Sequence, residues 1–341
     1  MSLHDVGWWR ACMVCTLFAA GCSTPGEDRG LRAPEAEGAP PEIARLQKEA
    51  QRGDPTAMSL LAFAYQEGRE VPLDHAAAIE WHRKAAKQGE AASQAALGRY
   101  FITGMGGTKK QPYRGLYWLR RAAQAGNPDG QALLGVSYLH GIGRNLLRSD
   151  PEKAEKWLKA ASDQGVAQAE YDLATLYYGR EDYAQTLEWL EKAAAQDHPQ
   201  AHTLLSTLYQ EGYGVAVDEA ESVRLLRRAA VLGDPVAQTD IGVALREGSR
   251  LAQNARESFE WFEEAAAQGY VDGQFNLALA YLNGTGVSQD PVRGVAWLEI
   301  CREKNSRDAI RALGRARSGL TPDQLEAARE IQEKLATNLP G

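Results

Sequence analysis

Residues 269–297, GYVDGQFNLALAYLNGTGVSQDPVRGVAW, contain every feature of a unit that recurs along the chain. Leu277 and Tyr281 fall at helical spacing and predict the buried stripe of a helix. The glycines of GTGV at 284–287 supply the backbone freedom that a tight connection needs. Asp290 follows and has the residue type of an N-cap. The stretch therefore predicts a helix, a loop and a second, capped helix.

The unit can be followed along the sequence by its tryptophan. A Trp, or once a Leu, recurs at Trp81, Trp118, Trp157, Trp189, Leu225, Trp261 and Trp297. Eight residues after each stands a residue typical of a left-handed helix end: Gly89, Gly126, Gly165, Asp197, Gly233, Gly269 and Asn305. The period is near 36 residues, which predicts about seven helix–loop–helix repeats over residues 42–318.

The helix that carries the tryptophan, here called the tryptophan helix, is predicted to begin at an Asp or Asn N-cap and to run for about fifteen residues. The N-caps are Asp74, Asp150, Asp182, Asp218, Asn254 and Asp290, and Asp218 with Glu221 has the spacing of a capping box. A pair of alanines follows each tryptophan position by four and five residues and allows close helix approach. The helix that begins after each helix-ending residue is called the leading helix.

The order Ala/Gly-Gln-x-x-Leu-Gly-x-x-Tyr-x-x-Gly-x-Gly closely resembles the Sel1-like repeat. The Gly-x-Gly loop, complete at Gly104, Gly141, Gly212 and Gly284, distinguishes it from the tetratricopeptide pattern. The resemblance implies an all-α fold, a right-handed α-solenoid of stacked helix-turn-helix repeats. Longer spacing predicts a bulged loop at 145–149, and shorter spacing a reduced loop after Tyr178.

The two ends of the solenoid are expected to carry caps, because terminal repeats would otherwise expose their stacking faces. Residues 42–52 predict an N-terminal cap helix. Thr321 and Pro322 predict the start of an amphipathic C-terminal capping helix within residues 319–341, with Leu325, Ile331 and Leu335 on its apolar side.

The N-terminal residues predict a secretion signal and a site of lipid attachment. Residues 11–20 form a short apolar run after Arg10, which is typical of a secretory signal peptide over residues 1–21. Its end, FAAGC at 18–22, resembles a bacterial lipobox, although Ala19 stands where the family usually has Leu. The resemblance implies lipidation at Cys22 and, with Ser23 next, an outer-membrane lipoprotein facing the periplasm. An ordinary cleaved signal peptide is the alternative. Residues 22–41 predict a flexible tether.

Composition argues against several classes of function. The 341 residues carry a formal net charge of −7 with the two signs interspersed, so nucleic acid is not an expected partner. The six histidines form no metal motif, and Cys301 stands at an alanine position of the repeat with no Cys-x-x-Cys partner. No catalytic residue, metal or cofactor is predicted, and the repeated glycines do not follow a strand as a phosphate-binding loop would.

A binding face is predicted on the leading helices. On a helical wheel, positions 6, 10 and 13 after each helix-ending residue point away from the stack and are expected to line a concave surface. The candidate residues are Phe63, Arg99, Ile102, Val136, Leu139, Tyr171, Tyr178, Gln210, Arg246, Phe275, Leu279 and Leu282. Phe63, Tyr171, Tyr178 and Phe275 are the expected aromatic anchors of a peptide or protein groove. The alternative is that tight winding of the solenoid buries these side chains.

The sequence thus predicts a non-enzymatic scaffold or adaptor that is anchored in the bacterial envelope and organises partner proteins. Unidentified envelope proteins and the membrane, through the N-terminal lipid, are the expected partners. The alternative is an envelope enzyme or a cell-wall- or β-lactam-binding protein, which a cluster of acidic and hydroxyl side chains on the concave face would favour.

Overall fold

The structure is a computed structural model that describes residues 40–142 and 147–339. These residues form an all-α repeat solenoid of paired antiparallel helices. The helices are α1 Pro41–Gln51, α2 Pro55–Glu67, α3 His75–Lys87, α4 Ala91–Thr103, α5 Pro112–Gln124, α6 Pro128–His140, α7 Pro151–Ser162, α8 Ala167–Tyr178, α9 Tyr183–Ala195, α10 Pro199–Glu211, α11 Glu219–Val231, α12 Pro235–Glu247, α13 Ala255–Ala267, α14 Val271–Asn283, α15 Pro291–Glu303, α16 Arg307–Arg317 and α17 Pro322–Asn338. Even-numbered helices from α2 to α14 are leading helices, and odd-numbered helices from α3 to α15 are tryptophan helices.

The chain divides into two compact units between Trp189 and Leu190. We call the described residues up to Trp189 the first unit and those from Leu190 the second unit. Within each unit most helices pack on the next helix along the chain and, in α4 with α6, α6 with α8, α12 with α14 and α15 with α17, also on the next but one. Contacts within each unit are therefore confined to near neighbours in sequence.

The tryptophan helices begin where the sequence predicts. Asp74, Asp150, Asp182, Asp218, Asn254 and Asp290 each accept a hydrogen bond from a backbone amide of the first turn. The capping box predicted at Asp218 is wrong, because the Glu221 carboxylate pairs with Arg224, with 2.7 Å between Oε2 and Nε. A complete box occurs instead at Thr321 and Gln324, where α17 begins.

The helix ends are also as predicted, although the helices are shorter. Gly89 has φ +96°, and Asp197 and Asn305, which replace glycine, have φ +58° and +62°. The left-handed turn therefore persists where the glycine does not. Most tryptophan helices have 13 residues and α7 has 12, rather than about fifteen, because the residues just before the turn have left the helix.

The deepest core position is one residue beyond the tryptophan. The residues there are 0–3% exposed: His82, Leu119, Leu158, Leu190, Leu226, Phe262 and Leu298. Of the tryptophans, Trp81, Trp189 and Trp297 are buried, whereas Trp118, Trp157 and Trp261 are only half-buried. The tryptophan position is therefore only partly core, because the large ring lies at the edge of the layer that the next residue fills.

Small residues allow the leading helices to approach both neighbours closely. A Cβ on Gly135 of α6 would lie 2.7 Å from Cγ of Leu158 in the following helix. A Cβ on Gly130 would lie 2.5 Å from Cβ of Ala122, which belongs to the alanine pair of the preceding helix. The predicted role of the alanine pair in close helix approach is confirmed at this contact.

The motif glutamine links the helices of a repeat to each other. Gln238 donates to the carbonyl oxygen of Ala230 at 3.2 Å, and Gln274 donates to that of Ala266 at 3.3 Å. These carbonyls lie in the last turn of the preceding helix, where no intrahelical donor is available. Gln94 and Gln131 make the corresponding bonds to Ala86 and Ala123 in the first unit.

Both ends of the described chain carry an additional helix. Ile43, Leu46 and Ala50 of α1 are buried against α2 and its neighbours. At the other end, Ala328 of α17 is buried in the last core cluster, and Ile331 and Leu335 pack against it. The contact partner of α17 is α15, so the last helix covers the side of α15 that a further repeat would occupy.

The two irregular loops fall where the spacing predicts them. An antiparallel bridge between Ile142 and Leu147 closes the longer loop before α7. Between α8 and α9 only residues 179–182 remain, and Glu181 takes the positive φ of +60° in the absence of Gly-x-Gly.

The predicted signal peptide over 1–21, Cys22 and all but the end of the tether over 22–41 lie outside the described residues. Among residues 40–142 and 147–339, no helix combines the length and apolarity needed to cross a membrane.

Candidate binding surface

The twelve predicted surface residues all lie on leading helices, and none of them is fully buried. Eleven are half-buried and Gln210 is exposed. Position 6, which was expected to share this face, is buried as Ser59, Ala95, Ala132 and Thr239 and half-buried as Tyr171, Thr203 and Phe275. The face is therefore built mainly from positions 10 and 13.

In the first unit, Phe63 and Arg99 occupy equivalent positions on α2 and α4. The Phe63 ring packs edge-on against His82, with 4.7 Å between the ring centroids and 77° between their planes. Arg99 is half-buried, and its Nε has no hydrogen-bond partner among the described residues. A buried guanidinium nitrogen without an acceptor is unfavourable. A ligand that accepts hydrogen bonds from the guanidinium of Arg99 would offset part of this cost.

The other predicted residues of the first unit differ in how much surface they keep for a partner. Ile102 packs on the cluster that contains Leu116 and Leu119, so much of its side chain already belongs to the core. Val136 and Leu139 on α6 are half-buried. Tyr178 packs edge-on against Tyr183, with ring centroids 5.8 Å apart.

Asp172 is a polar residue of α8 that the sequence analysis did not single out. It is buried, and the Gln168 Nε2 donates to its Oδ1 at 3.1 Å while its Oδ2 has no partner among the described residues. Burial raises the pKa of Asp172 to about 7, and the bond from Gln168 partly opposes that rise. The carboxyl therefore titrates near neutral pH, directly after Tyr171 in the sequence.

In the second unit, two of the predicted residues, Arg246 and Leu279, line a cavity of about 240 Å³. Leu279 and Phe262 supply apolar walls, and Arg246 and Asn276 supply polar groups. The Arg246 Nη1 donates to Asn276 Oδ1 at 2.6 Å, and the guanidinium carbon lies 5.6 Å from the Phe262 ring centroid. A fixed arginine beside an apolar wall can orient a partner while the wall takes up an apolar side chain.

Phe275, Leu282 and Gln210 complete the predicted set in this unit. Phe275 and Leu282 pack against the core cluster of α13 to α17 while remaining half-buried. Gln210 is exposed on α10, and its Oε1 accepts from Arg250 Nη1 at 2.5 Å. Arg250 and Asn276 are thus additional residues of this face, and neither stood out in the sequence because each lies at a variable position of the repeat.

Three carboxyl groups of the second unit lie close enough to influence one another. The pKa of Asp240 is raised to about 6, first by burial and also by the charges of Asp234 and Asp272, while the charge of Arg250 partly opposes the rise. The Asp234 Oδ2 accepts from Thr203 Oγ1 at 2.6 Å. Tyr270, half-buried beside them, lies 3.3 Å from Asp272 Oδ2 through its hydroxyl oxygen. Acidic and hydroxyl side chains are therefore clustered on α10, α12 and α14.

A Ser–His pair occurs in the first unit, and its burial decides its role. His82 Nδ1 lies 2.9 Å from Ser93 Oγ, and Ser93 Oγ donates to Ser59 Oγ at 3.0 Å. His82 and Ser93 are both 0% exposed, so a substrate has no access to this hydroxyl. Burial lowers the pKa of His82 to about 3, with the Arg99 charge adding to the effect. The pair is a neutral hydrogen bond within the core.

The remaining candidates for chemistry are similarly enclosed or dispersed. Cys301 is buried, and burial raises the pKa of its thiol to about 12, which disfavours the reactive thiolate. His202 Nε2 lies 4.0 Å from Asp197 Oδ1, and burial lowers the pKa of His198 to about 4. Across the described ranges, no group of three or more His, Cys, Asp or Glu side chains is placed to hold a metal ion.

Comparison with known proteins gives a family and several structural relatives. The Sel1 repeat family model matches seven consecutive segments, residues 55–90, 91–127, 128–166, 167–198, 199–234, 235–270 and 271–300. The structure is similar to the crystal structure of a Sel1 repeat protein from Oxalobacter formigenes, with 32% identity, coverage of 80% of each chain and a TM-score of 0.62. It is also similar to c5321, a protective antigen present in uropathogenic Escherichia coli strains, with 25% identity, coverage of 86% of this chain and 71% of that chain, and a TM-score of 0.41. No curated protein matches the chain.

Proposed function

This chain belongs to the Sel1 repeat family, and from that premise we propose that it is a protein-interaction scaffold without catalytic activity. The Sel1 fold is commonly used in this way. The observation that carries the proposal is the row of half-buried apolar side chains on the leading helices. Such side chains still have surface to lose to a partner, and burying that surface is the main driving force of association.

The second unit offers the better-defined place for a partner segment. An apolar side chain of the partner would enter the cavity beside Leu279 and Phe262, while Arg246 and Asn276 bind a backbone carbonyl or an acidic group at its edge. Because Arg246 is already held by Asn276, little side-chain freedom remains to be lost when the partner binds.

The first unit would contribute a second contact area through Phe63, Tyr171 and Tyr178, with Val136 and Leu139 between them in sequence. Aromatic residues dominate the energy of protein interfaces because they bury large areas with few rotatable bonds. Arg99, with an unpaired buried Nε, is the polar counterpart to Arg246 in this unit.

We further propose that the scaffold works in the bacterial envelope as an outer-membrane lipoprotein facing the periplasm. The support is the apolar run at 11–20 and the small residues before Cys22. Lipid on Cys22 would hold the solenoid at the membrane through the tether, and partner proteins bound to the leading helices would be gathered there.

Co-purification from the native host tests the scaffold. The chain carries a C-terminal tag, and proteins retained by the natural chain are compared with those retained by Phe275→Ala/Leu279→Ala. The matched control is Val217→Ala/Val231→Ala, which removes apolar side chains that are 66% and 67% exposed elsewhere in the second unit. Loss of the same partners from the first variant alone supports the proposal, and retention by both variants contradicts it.

Membrane fractionation tests the anchor independently. The Cys22→Ser variant cannot receive the lipid, so it should leave membranes that are washed at high salt, which screens electrostatic binding to the surface, while it retains partners in solution. Continued association of Cys22→Ser with the salt-washed membranes would contradict lipid anchoring without bearing on the scaffold.

The acidic cluster favours a second candidate, a protein that binds or processes cell-wall material or β-lactams. Carboxyl and hydroxyl groups such as Asp240, Asp272 and Thr203 are the types that bind sugar hydroxyls and amides. Binding of soluble peptidoglycan fragments, or turnover of a chromogenic β-lactam, that is lost in Asp240→Asn would support this candidate. Unchanged behaviour of Asp240→Asn would contradict it.

A further inference from the structure

One segment of the first unit departs from the charge pattern of the chain. Residues 91–128 contain six Lys or Arg residues and no Asp or Glu, although the whole chain has a net charge of −7. The expectation that the two signs are interspersed is therefore wrong for this segment. Its centre is α5, the one tryptophan helix that contains no acidic residue.

The surface of α5 also exposes two aromatic rings. Tyr113 is 76% exposed and Tyr117 is 51% exposed. At 100° per residue, Tyr113, Tyr117 and Arg120 lie within about 60° of one another on the helix. The Arg121 Nη1 donates to the Tyr117 hydroxyl at 2.9 Å, which holds that ring outward beside a cation.

The repeat itself does not require these tyrosines. At the position of Tyr117 the other tryptophan helices have Glu80, Lys156, Glu188, Arg224, Glu260 and Ala296. At the position of Tyr113 they have Ala76, Glu152, Ala184, Ala220, Arg256 and Val292. An exposed aromatic pair is thus particular to α5, and its contacts within the fold do not explain it.

The cations of this surface have no acidic partners. On other tryptophan helices a surface cation pairs with a nearby acid, as in Lys84 with Glu80 at 3.2 Å and Lys159 with Glu155 at 2.8 Å. Among the described residues, Lys109, Lys110, Arg114 and Arg120 are exposed and form no ion pair. Together with Tyr113 and Tyr117 we call them the α5 patch. Its positive charge remains available to an external anion.

We propose that the α5 patch docks on a membrane surface rich in anionic lipid headgroups. Lysine and arginine are attracted to such a surface, and tyrosine is enriched at the headgroup level because one end of its ring system is apolar and the other polar. The two residue types that a membrane interface selects therefore lie together on one exposed helix.

The chain that precedes the structure brings this surface within reach of a membrane. The inference rests on the proposed lipidation of Cys22, which would leave residues 23–40 between the lipid and α1. A flexible chain of that length spans on the order of 25 Å on average and about 60 Å at full extension. Helix α5 belongs to the same unit as α1, so a lipid anchor would greatly raise the local concentration of the patch at the bilayer.

Vesicle flotation with residues 23–341 tests the proposal. This chain keeps every described residue and lacks the lipidated cysteine, so binding does not depend on the anchor or on any partner protein. The vesicles are phosphatidylcholine alone, or phosphatidylcholine with one third phosphatidylglycerol. Arg114→Gln/Arg120→Gln should weaken binding to the anionic vesicles roughly 25-fold, since each basic side chain contributes about fivefold at such a surface. The separate variant Tyr113→Ser/Tyr117→Ser should also bind the anionic vesicles more weakly than the natural chain does at the same salt concentration.

The control variant is Arg45→Gln/Arg52→Gln, which changes the net charge equally but alters exposed residues of α1 and of its C-terminal end, at the start of the same unit. It should bind as the natural chain does, and circular dichroism checks that all variants remain helical. The proposal is overturned if anionic and neutral vesicles bind equally, or if the Arg114/Arg120 variant and the control variant lose binding to the same extent. Binding of poly-L-glutamate by the patch without binding of vesicles would also overturn it, and would assign the patch to an acidic polypeptide.

Discussion

The Nε2 of Gln164 donates to the Oε1 of Gln131 at 2.8 Å, although 33 residues separate them in sequence. The same nitrogen lies 3.1 Å from the carbonyl oxygen of Gly126, where the preceding tryptophan helix has just ended. In the second unit Gln268 makes the corresponding bonds to Gln238 and Gly233, at 2.9 and 3.0 Å. A polar side chain therefore links consecutive repeats at one edge of the stack.

Replacing Gln131 by alanine should destabilise the first unit by ~1–3 kcal/mol, because Gln164 and the Ala123 carbonyl lose a buried partner. Urea denaturation followed by circular dichroism measures the change. Gln124→Ala is the control, since Gln124 is an exposed glutamine of the same unit and should change stability by less than about 0.5 kcal/mol. Equal losses in the two variants would show that the link between repeats contributes nothing.

Restoring the apolar core in the first repeat should remove part of the protein's acid sensitivity. His82 has a pKa of about 3 in the folded protein, below its ordinary 6.5, so the folded state binds fewer protons than the unfolded state between these values. Stability is therefore complete above pH 6.5 and falls as the pH decreases toward 3. In His82→Leu/Ser93→Ala, the contribution of this one proton to the pH dependence of the free energy of unfolding, ~1.36 kcal/mol per pH unit, should disappear.

Urea titrations between pH 4 and 7 measure this slope, and Ser93→Ala alone is the control because it keeps the imidazole. A slope that is the same in the double variant and the natural chain would mean that His82 does not remain neutral in the core.

Asp172→Asn should remove a pH dependence of stability that has the opposite sign to that of His82. The pKa of Asp172 is raised from 3.8 to about 7, so the folded state binds more protons and stability decreases as the pH rises from about 4 to 7. Three pKa units correspond to ~4 kcal/mol, which the asparagine variant should not lose. Thermal unfolding at pH 4 and pH 8 measures the difference.

The comparison for Asp172→Asn is Asp163→Asn, an exposed acid in the same unit. If both variants gain the same stability at pH 8, the effect comes from the change in net charge. The burial of Asp172 is then not its cause.

One substitution at two glycines of the second unit should act in opposite directions. In Gly242→Ala the new Cβ would lie 2.5 Å from Cε1 of Phe262, so the core must shift at a cost of ~1–3 kcal/mol. Gly314 lies in α16, and a methyl group added there would meet no heavy atom of a neighbouring element within 4 Å, so alanine should stabilise the helix by up to ~1 kcal/mol. Denaturant midpoints give both signs, and a stabilising Gly242→Ala would contradict the close packing of α12 on α13.

The repeat register could be predicted from sequence because it depends on residue type at fixed spacing. Asp74 and Asp290 act as N-caps and Gly89 ends a helix whatever surrounds them, since local backbone geometry favours those residue types. The tryptophans also marked the repeat correctly, but the residue after them, such as Leu158, is the deeper one. Composition gave no sign of this because leucine occurs at several positions of the unit.

The binding face could be predicted only as a row of positions. A helical wheel gives the direction of Ile102 from its own helix but does not show that α5 approaches closely enough to cover much of it. Asp172 and His82 were missed for a related reason, since their properties come from burial among residues distant in sequence. The acid-free segment around α5 could have been found by counting charge in short windows instead of over the whole chain.

Because contacts within each unit join only neighbouring or next-but-one helices, the number of repeats is not set by any closing contact between distant parts of a unit. A gene duplication that adds one block of about 36 residues would preserve every existing pair of neighbours except at the point of insertion. Helices α1 and α17 would still cover the ends. Evolution can therefore change the reach of such a protein in steps of one repeat, and recombination between repeats is a direct route to relatives of different length.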